Sequence, residues 1–112
     1  MADCLFCKIV SGEIPSTLVY EDDLVFAVED VNPEAPVHVL ILTKEHYKNL
    51  NDDVPDETLV AVLKAAREIA KLKGVDESGY RVVTNTGMNA DQTVYHMHFH
   101  LLGGTSLVGQ TH

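Results

Sequence analysis

The segment His96-Met97-His98-Phe99-His100-Leu101-Leu102 alternates imidazole and apolar side chains for five residues and closes on an apolar pair. Only an extended chain turns that pattern into two faces, because successive strand side chains point to opposite sides. A strand over 95–102 lines up three imidazoles on one face, at intervals of about 6.6–7 Å. The other face sends Met97, Phe99 and Leu101 into a core. Polar atoms in that number need partners, since each costs about 1–3 kcal/mol when buried and unsatisfied. One histidine alone reads as an ordinary core or surface residue. Three in strict alternation point to a site. A metal held by i, i+2 imidazoles is the competing reading, although three in a row with no carboxylate nearby, followed by Gly103-Gly104, suit it less well.

The rest of the chain supplies what such a strand would pair and pack with. Residues 3–11 read as a short helix burying Leu5, Phe6, Ile9 and Val10, stopped by Gly12 and Pro15. Strands are predicted over 17–21 and 24–29, separated by a turn at Asp22-Asp23, with a loop marked by Asn32-Pro33 and Pro36. Val37 to Leu42 is an almost continuous apolar run holding one histidine, His38, as a central strand would. After Pro55, Leu59, Val62, Leu63, Ala66, Ile69 and Ala70 recur at helical spacing, with Asp56 as N-cap and Gly74 as the stop. A strand over 80–85 and a polar loop over 86–92 lead into the histidine strand. The order predicts an α+β fold: an antiparallel sheet of about five strands with one long helix and a short N-terminal helix. An unpaired sheet edge would invite a second copy, giving a homodimer.

At 112 residues the chain fits a single domain, 1–112, large enough to fold without disulfides. A net charge of −9 argues against a general nucleic-acid binder, which needs clustered Lys and Arg. It leaves room for a small phosphorylated ligand. Charges at Asp3 and Lys8 interrupt any secretory h-region, and no run approaches the roughly 20 apolar residues of a membrane span. A cytoplasmic location, with no membrane partner, is the expectation. Cys4 and Cys7 are too close to staple distant parts of a secreted fold, so reduced thiols or a metal pair are expected.

The His-φ-His-φ-His-φ-φ pattern at 96–102 (φ apolar) resembles the signature of the histidine triad family. Tyr95 and Gly103-Gly104 resemble its nucleotide-binding hydrolase branch. Further stretches are similar to that branch: Gly12-Glu13-Ile14-Pro15, Glu21-Asp22-Asp23, Ala35-Pro36-Val37-His38, and Lys44 with His46. The likeness runs from about Cys4 to Gly104.

The resemblance implies a hydrolase acting on nucleoside 5′-phosphoramidates or related nucleotidyl compounds, with a purine nucleotide such as AMP as partner. Dinucleoside polyphosphate hydrolysis, or a nucleotide-binding module with incidental catalysis, are the alternatives. In the implied mechanism His98 attacks the α-phosphorus and forms a covalent nucleotidyl-histidine that water resolves. His100 donates to a nonbridging phosphate oxygen, and His38 and His96 complete the catalytic set. Asp30 corresponds to the ribose contact, with an ordinary turn aspartate as the plainer account, and Val31 to the base pocket. Asn85, Asp91, Gln92 and Thr93 correspond to phosphate and leaving-group contacts, with glycine the commoner residue at the position of Asp91. His38 otherwise reads as a lone core histidine. No cofactor is required for catalysis. Cys4, Cys7, His46 and His96 would form a structural zinc site, as in some members of the family, and two buried thiols are the alternative. The tail 105–112 departs from the family, and His112 stands apart from the chemistry.

Overall fold

The computed structural model describes residues 4–110, so Asp3 and His112 lie outside the described residues. Helix α1 (Leu5–Ser11) is followed by strands β1 (Leu18–Glu21), β2 (Val25–Glu29) and β3 (Val37–Thr43). Helix α2 (Asp56–Leu72), β4 (Tyr80–Val83), a 3₁₀ turn at Met88–Ala90 and β5 (His98–Gly103) complete the chain. The five strands form one antiparallel sheet in the order β1-β2-β3-β5-β4. This is the α+β architecture that the grouping of strands and helices predicts. No helix among the described residues is long and apolar enough to cross a membrane.

The pleat of the sheet separates two chemistries. On one face Val25, Ala27, Val39, Ile41, Phe99 and Leu101 pack with Met97 against Val62, Ala65, Ala66, Ile69 and Ala70 of α2. On the other, Val28, Leu40 and Leu42 meet Phe6 of α1. The register places Leu42 opposite His98, Leu40 opposite His100 and His38 opposite Leu102. Directly opposed residues share a face, so His38, His98 and His100 all lie on the α1 side.

Four local expectations shift. The chain bends at 94–96 instead of running extended from 95, and β5 begins only at His98. The Met97 amide is drawn off to the Tyr47 carbonyl, at 2.6 Å. The α2 stripe is rotated from the expected one: Leu63 is 59% exposed, and Thr58 and Ala65 are buried instead. Val62 and Ala66 are about 40° apart around the helix, whereas Leu63 sits about 100° from Val62 and falls off the buried arc. Pro55, not Asp56, caps α2, and it does so without a side-chain hydrogen bond. In α1, Phe6 is buried but Leu5 is 46% exposed.

The Gly-Gly ending of β5 has a steric cause. A Cβ on Gly103 would lie 3.2 Å from the Val75 side chain, and Gly104 adopts φ +84° with Pro36 3.1 Å from its own would-be Cβ.

Candidate functional site

Among the described residues the histidines divide into two clusters, and hydrogen-bond geometry fixes the tautomer of the key rings. His98 is almost fully buried, and its Nδ1 lies 2.7 Å from the His96 carbonyl oxygen. A carbonyl only accepts, so Nδ1 carries the proton and Nε2 keeps its lone pair. Nε2 makes no hydrogen bond within the described residues. The ring is held edge-on by Phe6 at 4.9 Å and by His100 at 5.2 Å between centroids. The Thr84 hydroxyl donates to the His98 carbonyl at 2.7 Å, bracing the strand from β4's end.

His38 and His100 are diagonal neighbours on β3 and β5, near enough for their rings to touch. The Glu34 amide donates to His38 Nδ1 at 3.0 Å, so neutral His38 carries its proton on Nε2. That N–H faces His100 Nδ1 at 2.9 Å and Asp30 Oδ2 at 3.3 Å. Accepting at Nδ1 leaves His100 with its proton on Nε2, a donor. The cluster thus presents one lone pair, on His98, beside one N–H, on His100.

Burial keeps the His98 and His100 rings neutral. Desolvation lowers the pKa of His98, against the opposing pull of the His96 carbonyl and Asp30. Desolvation, followed by repulsion from His98 and His38, brings His100 down to about 4. Both rings are therefore neutral near pH 7, as a lone-pair nucleophile and a neutral donor require.

His96 belongs to the second cluster. Because the chain bends at 94–96, its ring leaves the row of the other two. Nε2 donates to the Thr43 carbonyl at 2.8 Å, which leaves the Nδ1 lone pair facing Cys4 Sγ at 3.2 Å and Cys7 Sγ at 3.4 Å. Cys7 Sγ also lies 3.3 Å from His46 Nδ1. Cys4 is the N-cap of α1, accepting the Cys7 amide at 3.2 Å, which turns both thiols to the same side. The four ligand atoms lie within 4.8 Å of one another. A tetrahedral zinc with S and N ligands places neighbouring S and N atoms about 3.6 Å apart, so the residues fit such an ion. The Thr43 carbonyl supplies the outer hydrogen bond that metal-binding histidines usually have. Burial, then the Cys4 thiol, pushes the Cys7 thiol up to about 11.

No two rings of the 96–98–100 row share a candidate metal group among the described residues: His96 joins Cys4, Cys7 and His46, and His100 joins Asp30 and His38. The metal reading of the row as a whole therefore loses its geometric basis.

The remaining expected contacts surround this centre. Asp30 turns one carboxylate oxygen to the Asn32 amide and the other toward His38. It lines a pocket of about 360 Å³ with Pro15, Ser16, Thr17, Glu29 and the exposed Val31. Asn85 is half-buried just beyond β4, and Thr93 is exposed. Asp91 adopts φ +59°, the left-handed region that favours glycine. Gln92 is buried and its groups are used within the protein. Oε1 accepts from Gly87 and Asn49, Nε2 donates to the Lys48 and Val94 carbonyls, and the amide donates to Gly87. Thr43, Thr84 and the Glu34 amide were not foreseen. Each acts through a backbone group or a short hydroxyl, for which the sequence carries no distinctive spacing.

The HIT domain model matches residues 11–107, and the chain belongs to that family. It is 42% identical over 107 residues to a purine nucleoside phosphoramidase of Escherichia coli, covering 94% of this chain and 90% of that one. It is also 42% identical to a 14 kDa zinc-binding protein of Brassica juncea, over 94% and 96% of the two chains. Among solved structures, a HIT family hydrolase from Legionella pneumophila superposes with a TM-score of 0.90 at 45% identity, over 96% and 98% of the chains.

Proposed function

We propose that this protein hydrolyses nucleoside 5′-phosphoramidates or closely related nucleotidyl compounds, with a purine nucleotide as the bound moiety and His98 as nucleophile. The observation that carries the reading is the His98 ring, with Nδ1–H tied to the His96 carbonyl and Nε2 without a hydrogen-bond partner among the described residues. Its Nε2 lone pair attacks the α-phosphorus, the P–N bond to the leaving amine breaks, and the amine takes a proton from solvent. Bond formation leaves the ring positively charged, which strengthens the Nδ1–H bond to the carbonyl. Water then attacks the same phosphorus, the P–Nε2 bond breaks, and the nucleoside monophosphate leaves with the proton released to solvent.

The Nε2–H of His100 meets the charge that builds on a nonbridging oxygen, and His38 fixes the tautomer that makes this possible. Asp30 accepts from the ribose hydroxyls and Val31 lines the base side of the pocket. Asn85 and the Thr93 hydroxyl reach the phosphate and leaving group. Gln92, with its donors engaged, and Asp91, at its left-handed turn, contribute by shaping the loop. The Cys4–Cys7–His46–His96 cluster holds a structural zinc, a reading supported by its spacing and by the zinc-binding relative. The ion would tie α1 to the sheet and supply no step of the reaction. β4, an edge strand, offers a surface for a homodimer.

The test is turnover of an adenosine phosphoramidate by the parent and by His98→Ala. Hydrolysis lost in the variant with AMP binding retained supports the reading; a variant as fast as the parent removes the nucleophile.

A further inference from the structure

We propose that the Cys4–Cys7–His46–His96 cluster, when it holds a zinc-like divalent ion, is a positioning site for His98, so that metal loading governs the chemical step rather than nucleotide binding. The inference rests on reading His98 as nucleophile and the cluster as a metal centre. It adds a link between them.

Two paths join the cluster to the reacting ring. The first is the His96 residue itself. Its side chain is fixed from both sides, by the Thr43 carbonyl at Nε2 and by the thiols at Nδ1. Its carbonyl is the acceptor that sets the proton on His98 Nδ1, at 2.7 Å. A ring anchored at both nitrogens leaves the peptide that carries it little freedom to turn. The second path is Phe6, which lies between the two cysteines in sequence and meets the His98 ring edge-on at 4.9 Å.

Helix α1 has seven residues, far below the length at which an isolated helix is stable. Its cap is the Cys4 sulfur, itself one of the ligands. A bound ion would therefore secure the cap, the Phe6 contact and the His96 peptide together. Without it, weak thiol–imidazole contacts must hold all three. Catalytic groups need placement within roughly 0.5 Å and 10–20°, and a ring that rotates or changes tautomer loses its aimed lone pair. Asp30, Asn85 and Thr93 stand on segments outside the cluster, so nucleotide affinity should survive.

The experiment uses the full chain with ¹⁵N-labelled histidine rings, zinc-loaded and then stripped by a chelator, together with His46→Ala. His46 touches the cluster and makes no hydrogen bond to His98. Three quantities are read: the His98 tautomer by NMR, the single-turnover rate on an adenosine phosphoramidate, and the AMP dissociation constant. The loaded parent should show one zinc per chain and a single Nδ1–H tautomer. The stripped protein and His46→Ala should show mixed tautomers and a rate at least tenfold lower, with AMP affinity within threefold. Zinc should restore the stripped parent but not His46→Ala.

A parent that binds no zinc, or His98 signals and rates that do not change on stripping, overturns the proposal. If the stripped protein unfolds, zinc-loaded Phe6→Leu decides through the second path. Mixed His98 tautomers, read from the ring ¹⁵N signals, with a slower rate support the link, and a single Nδ1–H tautomer at the parent rate overturns it. The ring signals do not depend on turnover, so a loaded parent that hydrolyses nothing would refute the hydrolase reading separately.

Discussion

The two histidine clusters use the same side chain to opposite ends. Around Cys4, Cys7, His46 and His96, potential ligand atoms converge on one point, with the Nε2 proton of His96 directed away to the Thr43 carbonyl. Around His38, His98 and His100, donors and acceptors run in sequence. The Glu34 amide serves His38, His38 serves His100, and the His96 carbonyl holds His98. Convergent lone pairs suit a cation. A chain that ends in one lone pair and one N–H suits an electrophilic phosphorus and its oxygens. For His38, His96 and His98 the backbone amide or carbonyl that the ring meets sets its tautomer, and His38 in turn sets that of His100.

The largest expected effect that sharpens this contrast is at the nucleophile. His98→Ala should lose about 10⁴-fold or more in phosphoramidate turnover, measured by product release, because residues that form the covalent bond dominate such losses. His100→Ala should lose about 100-fold, the usual cost of one transition-state donor. A loss in His100→Ala as large as that in His98→Ala would break the assignment of roles.

Stripping metal from the other cluster should act first on stability. A ligand present at about 100 times its dissociation constant contributes about 2.7 kcal/mol. That corresponds to a fall in Tm of roughly 10–15 °C for a domain of this size, read by calorimetry. A Tm indifferent to chelator would remove the metal from the comparison.

Acid should separate the clusters further. The His100 pKa is depressed to about 4 from an ordinary 6.5, so between those values the unfolded chain binds the proton that the folded one refuses. Stability contributed by the neutral ring is present above pH 6.5 and is lost as pH falls toward 4. Denaturant titrations across that window should show the slope, and His100→Gln should flatten it. The smallest effect is at the loop. Asp91→Gly relieves a left-handed φ, a penalty of about 1–2 kcal/mol partly offset by glycine's entropic cost of about 0.5–1 kcal/mol, so denaturant titration should show a net gain of about 0.5 kcal/mol.

The alternation at 96–102 was enough to read a strand, which forms from His98 onward, and its two faces; His98 as nucleophile came from the family resemblance alone. Alternation names a face but not what lies opposite it. It could not show that β3 would place His38 diagonally across from His100, nor that the chain would bend at 94–96 and turn His96 to the thiols. The helical period at 59–70 fixed α2, yet Leu63 faces outward because hydrophobicity alone does not resolve a step of 40° from one of 100°. Cys4 and Cys7 were legible as a pair. Their orientation depends on a sulfur capping its own helix, which spacing does not reveal.

The most direct measurement of the central claim is to trap the enzyme during turnover. The protein is mixed with an adenosine phosphoramidate, quenched in base to preserve a phosphorus–nitrogen bond, and mapped by peptide mass spectrometry. The account requires an adenylyl group on His98, absent in His98→Ala. An adduct on another residue, or rapid hydrolysis with no adduct at any time point, would contradict it.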